Sequence, residues 1–383
     1  MKLSFYVVSS PGLEDITLAE VRSLGYPKAK RIEGGVSIIG STRDLYRCNF
    51  LLRTASRIYL RLCEGETHRF TDIAKLLARC ELNQFADKDT PITVSATSHA
   101  STLYHTGAIE KAAREAIELG GLSTLGKQNE VGDDRKIQLS IRIVRNQCTV
   151  SLDTSGAPLH HRGYKLAAGS APLRETLAAA ILRAVDWNPS VPVIDPFCGS
   201  GTIPIEAAMV AGNIAPGVLR TFGFHRWPAL NRGAWSSVVS EVGAKGAEPG
   251  EEEARSPLAN TFSIEGSDLN RETTTQAHKN AERARVGHLV RFYCRDACDL
   301  PQLLPGSLII CNPPYGARLE EPGFALKLLN RFGLAAKKRA KGSTLAVLLP
   351  SGLPASSLGL SVEEKLCFLH GGKRVRLYCG VVG

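Results

Sequence analysis

No apolar run in this chain of 383 residues is long enough to cross a membrane, and no charged, apolar leader opens it. A transmembrane helix needs about 18 or more predominantly apolar residues, and none of the runs approaches that length. These absences argue against a membrane-spanning helix and a secretory leader. They predict a soluble protein of the cytoplasm with no membrane partner.

Paired metal-ligand spacings are missing as well. The ten cysteines form no Cys-x-x-Cys pair, and Cys294 with Cys298 is too small a set for a zinc site. Cysteines scattered through a chain of this length are typical of buried thiols in a reducing compartment. We therefore expect reduced cysteines and no bound metal.

Charge and length limit the remaining classes. A hydrophobic fraction of 43% is enough for a proper core, and 383 residues suggest two or three domains. The formal net charge is +10, with 23 basic and 18 acidic residues in 1–165 and 24 and 19 in 166–383. Because the excess is +5 in each part, it is not a basic tail, but it suits a polyanionic partner.

A glycine-rich segment, 195–202, has the sequence Asp-Pro-Phe-Cys-Gly-Ser-Gly-Thr and lies between the apolar runs 191–194 and 203–211. It predicts a strand, a tight loop and a helix, because Gly199 and Gly201 allow backbone conformations closed to other residues. The third glycine of a dinucleotide-binding loop and the Gly-Lys-Ser/Thr of a phosphate loop are both absent. The acid at the strand end therefore favours a ligand with hydroxyls and an amine over a phosphate.

A second loop follows the apolar run 307–311, which predicts a buried strand. Its sequence is Asn312-Pro313-Pro314-Tyr315, in which the prolines fix the backbone and carry no N–H. The Asn312 side-chain oxygen and the backbone carbonyls are acceptors, and Tyr315 adds an aromatic plane. Acceptors beside an aromatic ring suit a planar group with an NH2, such as the exocyclic amine of a nucleobase. Adenine N6, cytosine N4, guanine N2 and a glutamine amide are all compatible with this loop.

Together the two loops resemble those of the class I S-adenosylmethionine-dependent methyltransferases that act on exocyclic amines. The resemblance implies that the glycine loop holds the methionine portion of the cofactor, and that acids at the next strand ends hold its ribose and adenine. The segments 261–268 and 289–296 predict those strands, with Asp268 for the ribose, Glu265 as an alternative, and Asp296 for the adenine amine. The predicted cofactor-binding residues are Asp195, Phe197, Cys198, Gly199, Gly201, Thr202, Asp268, Asp296 and Asn312.

The resemblance also implies the reaction. The cofactor supplies an electrophilic methyl group on its sulfonium, and the amine attacks it in line. The Asn312 oxygen and the Pro313 carbonyl would accept hydrogen bonds from the amine and favour its nucleophilic form. Positioning and fixed dipoles would give most of the acceleration, so no strong general base is required. The predicted catalytic residues are Asn312, Pro313, Pro314 and Tyr315.

The first 160 residues alternate predicted strands and helices. Strands are expected at 3–8, 36–39, 91–98, 137–144 and 148–153, and helices at 12–24, after Ser41 and at 108–119. Arg53, Arg57 and Arg61 recur every four residues, which predicts a basic stripe on one helical face. A solvated face is the alternative for any one of these arginines, but the stripe is a candidate contact for an RNA backbone.

This half is similar to a small ferredoxin-like domain followed by a THUMP domain, an α+β module that binds RNA. The segments 98–111, 152–164 and 171–179 carry the resemblance. It implies further RNA contacts beside those of the arginine stripe. The predicted RNA-binding residues are Arg53, Arg57, Arg61, Tyr104, His105, Arg162 and Arg174.

Over nearly its whole length the chain is similar to the THUMP-containing RNA guanine-N2 methyltransferases, and most of all to those of bacterial 23S ribosomal RNA. The predicted fold is α/β, with a Rossmann-like class I methyltransferase domain and its seven-stranded sheet at 161–383. A ferredoxin-like domain at 1–55 and a THUMP domain at 56–160 precede it, and a short flexible insertion is expected at about 246–257. The implied cofactor is S-adenosylmethionine, the implied partner is RNA, and we expect a monomer or weak dimer.

Several alternatives stay open. The tRNA guanine-N2 methyltransferases share this architecture. A DNA adenine-N6 methyltransferase is disfavoured by the THUMP-like half, and a non-catalytic RNA-binding or ribosome-assembly protein is disfavoured by the intact loops. Because the sequence holds no second methyltransferase domain before it ends at Gly383, we expect one modification activity.

Overall fold

The structure is a computed structural model that describes residues 2–125, 136–165, 173–243, 263–314 and 323–383. The predicted insertion at 246–257 lies outside these residues. The chain divides into two compact units, which are made of Met1–Ser9, Val21–Leu159 and Arg220–Ser240, and of Ser10–Glu20, His160–Leu219 and Glu241–Gly383. Within the described ranges, no helix is long and apolar enough to span a membrane.

The first unit is built on one eight-stranded sheet. Its strands are β1 (Leu3–Val8), β2 (Lys30–Ile32), β3 (Gly35–Gly40), β4 (Arg57–Glu66), β5 (Ile92–His99), β6 (Thr124–Leu125), β7 (Ile137–Val144) and β8 (Gln147–Asp153). Across the sheet they follow the order β2-β3-β1-β4-β8-β7-β5-β6. The helices in this part of the chain are α1 (Glu14–Ser23), α2 (Thr42–Leu51), α3 (Phe70–Ala78) and α4 (Thr106–Leu119).

The first four strands form a ferredoxin-like arrangement. Along the chain the elements follow the order βαββαβ, and β1 pairs antiparallel with both β3 and β4. The helix predicted after Ser41 is α2, and a capping box opens it: Ser41 N donates to Asp44 Oδ2 at 2.7 Å and Asp44 N donates to Ser41 Oγ at 3.3 Å. Since β4 also pairs with β8, the eight strands are continuous, and the boundary at 55/56 stays a prediction.

The predicted helical stripe of arginines is wrong. α2 ends at Leu51, and Arg57 and Arg61 lie on the strand β4, where residues alternate between the two faces of the sheet. A spacing of four residues fits one face of a helix and one face of a strand equally well. Ile58 and Leu60 alternate with less buried neighbours, and this alternation was the better indication of a strand.

The cysteines depart from the prediction at one pair. Cys63 on β4 and Cys80 just after α3 form a disulfide, with their Cα atoms 6.0 Å apart. Their separation of 17 residues carries no recognisable pattern. Only the packing of α3 beside β4 brings the two sulfur atoms together.

The second unit contains the predicted seven-stranded sheet. Its strands are β9 (Val193–Asp195), β10 (Ile264–Asp268), β11 (Arg291–Cys294), β12 (Leu308–Cys311), β13 (Thr344–Pro350), β14 (Glu363–His370) and β15 (Lys373–Val381). They follow the order β11-β10-β9-β12-β13-β15-β14, and β15 runs antiparallel to both of its neighbours. The helices in the rest of the chain are α5 (Glu175–Ala184), α6 (Thr202–Ala211), α7 (Arg232–Gly243), α8 (Arg271–Arg283) and α9 (Phe324–Arg339).

The strand order reverses between β9 and β12, which are parallel neighbours at the centre of the sheet. Successive side chains on these strands point to opposite faces, so Val193 joins one buried apolar cluster and Ile194 joins the other. The first cluster contains residues of α5, α6 and α8, and the second contains residues of α9. In an open parallel sheet, ligands bind outside the carboxyl ends of the strands at such a reversal.

Candidate cofactor and amine site

The glycine loop joins β9 to α6 at this reversal. Gly201 has φ +86°, and a Cβ there would lie 2.9 Å from Phe292 Cζ and 3.0 Å from Ala277 Cβ, so only glycine lets the loop pack. Gly199 has φ +53°, and a Cβ there would meet no atom within 4 Å. The loop is therefore packed on one side and open on the other, which suits a ligand that approaches its backbone.

Asp268 closes the loop from the end of β10. Its Oδ2 accepts a hydrogen bond from Gly199 N at 3.1 Å, and its Oδ1 accepts one from Asn270 N at 2.9 Å. Each carboxylate oxygen has about two lone pairs, so one acceptor position on each oxygen remains for a ligand. Two predicted cofactor residues are thus in contact, and together they fit a ligand with vicinal hydroxyls.

Asp195 lies beneath the loop, where only 2% of it is exposed. Its Oδ1 accepts a hydrogen bond from Phe197 N at 3.0 Å, which shapes the turn after β9. Burial raises the pKa of Asp195 well above its ordinary value, and the nearby carboxylate of Asp268 raises it further, against the lowering effect of the Phe197 N–H. Asp195 therefore stabilises the turn through this hydrogen bond and presents little surface to a ligand.

The remaining side chains of the loop also turn inward. The Phe197 ring packs against Phe332, with 5.3 Å between the ring centroids. Cys198 is buried, and burial raises the pKa of its thiol well above the ordinary value. Thr202 is buried, and its Oγ1 accepts a hydrogen bond from Lys165 Nζ at 2.7 Å. Cofactor contact stays a prediction for these three residues.

Asn312 and the two prolines follow β12 at the same edge of the sheet. The Asn312 side-chain oxygen is buried and accepts no hydrogen bond from the described residues. Leaving a buried acceptor unpaired costs about 1–3 kcal/mol, so such an atom calls for an explanation. A donor on a bound molecule would complete it. The fourth residue of the motif, Tyr315, lies outside the described residues.

Asp296 follows β11, and its carboxylate is half-exposed. Its Oδ1 accepts a hydrogen bond from Cys298 N at 2.8 Å, and its Oδ2 lies 3.6 Å from Arg331 Nη2 on α9. The fold thus gathers the ends of β9, β10, β11 and β12, with their predicted residues, along one edge of the sheet. Within the described ranges, no group of three or more His, Cys, Asp or Glu side chains could hold a metal ion.

Two neighbours of this site were missed. Leu269 directly follows Asp268 and is 73% exposed, which leaves an apolar surface next to the ribose candidate. The apolar residue directly after the acid at the strand end could have indicated this surface from the sequence. Lys165 Nζ lies 3.1 Å from Glu175 Oε1 and also donates to Thr202, but no local pattern links residues that far apart in the sequence.

The predicted RNA-binding residues divide into two sets. Two of them form ion pairs with buried carboxylates: RNA contact is wrong for Arg162, which is itself buried, and stays a prediction for Arg57, which is partly exposed. Arg162 is only 2% exposed, with its Nε 3.3 Å from Glu206 Oε1. Arg57 pairs with buried Asp153 and donates to the Gly156 carbonyl at 2.6 Å.

The other five predicted residues reach the surface to different degrees. Tyr104 is 78% exposed just before α4, His105 is exposed at the start of that helix, and Arg174 is exposed at the start of α5. Arg61 is partly exposed, with its guanidinium 5.6 Å from the Tyr6 ring centroid, and Arg53 is partly buried in the turn after α2. RNA contact stays a prediction for these five residues.

The fold and the two loops at its strand reversal define a class I methyltransferase, whose cofactor is S-adenosylmethionine. Residues 162–357 match the model of the RMKL-like methyltransferase domain, and residues 4–59 match that of the RlmL ferredoxin-like domain. The chain belongs to this RMKL-like methyltransferase family.

Individual relatives agree with the family. YpsC of Bacillus subtilis, named as a candidate RNA methyltransferase, is 32% identical over 88% of this chain and 85% of its own length. The ribosomal RNA large subunit methyltransferase K/L of Psychromonas ingrahamii is 32% identical over 96% of this chain, which spans 49% of that longer protein. The crystal structure of SMU.472, a candidate methyltransferase complexed with SAH, is 25% identical, with a TM-score of 0.86 over 100% of this chain and 98% of its own.

Proposed function

We propose that the protein transfers a methyl group from S-adenosylmethionine to the exocyclic N2 amine of a guanine in RNA, and that this RNA is 23S ribosomal RNA. The observation that carries the proposal is the buried Asn312 oxygen, an acceptor without a donor among the described residues at the carboxyl end of β12. An amine N–H of a flipped base would supply that donor. The proposal also gives Asn312, Pro313, Pro314 and Tyr315 their catalytic roles.

The chemistry follows from what these residues can accept. When bound, the cofactor supplies an electrophilic methyl group. The Asn312 oxygen and the Pro313 carbonyl accept the two amine hydrogens and hold the nitrogen lone pair toward that methyl group. Pro314 fixes the backbone that carries the Pro313 carbonyl, since its ring locks φ. These residues act by holding the amine in place, so no group at the site has to remove a proton before attack.

We assign cofactor binding to the glycine loop and to the acids that follow β10 and β11. The Asp268 carboxylate accepts from the ribose hydroxyls, the backbone of Gly199 and Gly201 lies along the methionine portion, and Asp296 accepts from the adenine amine. The open side of Gly199 and the free acceptor positions of Asp268 support this arrangement. Asp195 contributes by holding the turn from below.

RNA as the substrate is supported by the names of the relatives, a candidate RNA methyltransferase and a methyltransferase of ribosomal RNA. The net charge of +10 suits a polyanion. In this proposal residues 56–160 form a THUMP domain that holds RNA, and exposed Tyr104 and His105 are available to stack on bases. Residues 161–383 then carry out the transfer.

Transfer of labelled methyl groups from S-adenosylmethionine to total RNA of a strain that lacks the gene tests the proposal. The RNA is then separated by size and its nucleosides are identified by mass spectrometry. N2-methylguanosine in large-subunit ribosomal RNA is the expected product. The same nucleoside in tRNA would keep the chemistry and replace the substrate, and methyladenosine would overturn the choice of base. No transfer, with no heat of cofactor binding in calorimetry, would favour a non-catalytic RNA-binding protein.

A further inference from the structure

α9 carries a basic face that the cofactor and amine site does not use. Its sixteen residues include five lysines and arginines and no acid. α8, which packs in the other apolar cluster of the same sheet, balances three such cations with two glutamates. α9 therefore carries a net charge of +5, against +1 for α8.

Part of this charge forms a line along the helix. With 3.6 residues per turn, Lys327, Arg331, Leu334 and Lys338 fall on one side, and all four are exposed. We call these four residues the α9 stripe. At 1.5 Å per residue, the stripe is about 16 Å long. Among the described residues, Arg331 pairs with Asp296, and Lys327 and Lys338 form no ion pair.

The helix dipole explains only one end of this pattern. Lys337, Lys338 and Arg339 lie in the last turn, where cations are favourable beside the exposed carbonyls. Lys327 lies in the first turn and Arg331 in the second, at the end where the dipole disfavours cations. The sequence just before the helix holds Glu320 and Glu321, which lie outside the described residues.

The amino-terminal half of the stripe lies beside the candidate site. Arg331 Nη2 is 3.6 Å from Asp296 Oδ2 at the end of β11. The next residue, Phe332, packs its ring on Phe197 of the glycine loop. From this point the stripe runs away from the carboxyl edge of the sheet toward Lys338.

We propose that the α9 stripe binds the phosphates of RNA next to the target nucleotide and holds the strand at the methyl-transfer site. The inference rests on the proposed function, because it takes RNA as the substrate. A line of lysine and arginine side chains that starts at the site and extends about 16 Å suits a backbone that must pass the site while one base enters it. Such contacts carry no sequence information, but they fix the register of the strand.

The test uses the full chain with two neutralising double variants. Lys327→Gln with Lys338→Gln removes two charges from the stripe, while Arg331 is kept because it touches Asp296. The matched control, Lys279→Gln with Lys365→Gln, removes two exposed charges from α8 and β14 of the same unit. The probe is a labelled RNA hairpin with a guanine in its loop, and its Kd is measured by fluorescence anisotropy between about 50 and 200 mM salt.

The plot of log K against log salt has a negative slope, and each lost phosphate contact reduces the magnitude of that slope by about 0.7–0.9. The slope of the stripe variant should therefore be smaller in magnitude by about 1.4–1.8. The control should keep the slope of the unmodified protein, and both variants should keep its cofactor affinity and melting temperature. Equal slopes for all three proteins would overturn the stripe. If the double variant misfolds, Lys338→Gln alone should show about half of this reduction in slope. An unchanged slope in that single variant would overturn the proposal.

Failure of the proposed function would look different. An unmodified protein that neither binds the hairpin nor methylates RNA would overturn both proposals. Normal methylation by the unmodified protein together with an unaltered slope in the stripe variant would overturn the stripe alone.

Discussion

Gly199 donates its backbone N–H to the carboxylate of Asp268 at 3.1 Å, although 69 residues separate them in the sequence. The bond ties the glycine loop after β9 to the end of β10, the neighbouring parallel strand. It fixes one oxygen of a carboxylate whose other oxygen accepts from Asn270 N, and one acceptor position stays open on each oxygen. The loop and the acid are therefore held as one preorganised surface before any ligand binds, which lowers the entropy lost on binding.

Asp268→Ala should weaken S-adenosylmethionine binding before it affects the rate of the saturated enzyme. It removes the acceptors proposed for the ribose and the anchor of Gly199, so the dissociation constant should rise about 10- to 100-fold. Calorimetry with the full chain measures the change. Asp299→Ala, which removes an exposed carboxylate just beyond the site, is the control and should bind normally. Equal affinity in both variants would refute the role of Asp268.

Asn312→Ala should reduce the methyl-transfer rate by about 100-fold or more, while the cofactor affinity stays nearly unchanged. The structure adds an expectation about stability. Because the Asn312 oxygen is buried without a donor among the described residues, its removal should leave the melting temperature unchanged or raise it. Single-turnover kinetics at saturating cofactor and a thermal melt test both parts. A variant that methylates RNA at the normal rate would remove Asn312 from the catalytic group.

Substitutions of the two loop glycines should have different effects: one should lower the stability of the protein and the other its affinity for the cofactor. Gly201→Ala places a Cβ 2.9 Å from Phe292 Cζ at φ +86°, so it should destabilise the protein by about 1–3 kcal/mol. Gly199→Ala meets open space and carries only the smaller strain of a left-handed residue, about 1 kcal/mol. Its methyl group would instead stand where the cofactor approaches. Denaturant unfolding should therefore single out Gly201→Ala, and cofactor calorimetry should show a clear loss in the folded Gly199→Ala protein.

The strands and the two loops could be predicted because their signals are local. Apolar runs bounded by glycine and proline mark β9 and β12, and alternation marks β7. The degree to which Asp195 and Arg162 are buried could not be predicted, because it depends on the packing of segments distant in sequence. For the same reason the contact between Lys165 and Thr202, and that between Cys63 and Cys80, left no trace in spacing.

Acid should destabilise the protein through His160. Burial, aided by the charges of His161, Arg174, Arg162 and Lys165, lowers the pKa of His160 from 6.5 to about 3. Between these two values the unfolded chain binds a proton at this residue and the folded chain does not. The free energy of unfolding therefore falls as the pH drops below about 6.5 and stops falling from this cause near pH 3.

His160→Gln removes that linkage, because glutamine does not titrate. The variant should show a flatter dependence of the free energy of unfolding on pH between about 6.5 and 3 than the unmodified protein. Urea unfolding at a series of pH values measures both slopes. His288→Gln removes an exposed histidine of the same unit and should keep the steeper slope. If both variants follow the unmodified protein across this range, then His160 is protonated in the folded state and the burial argument fails.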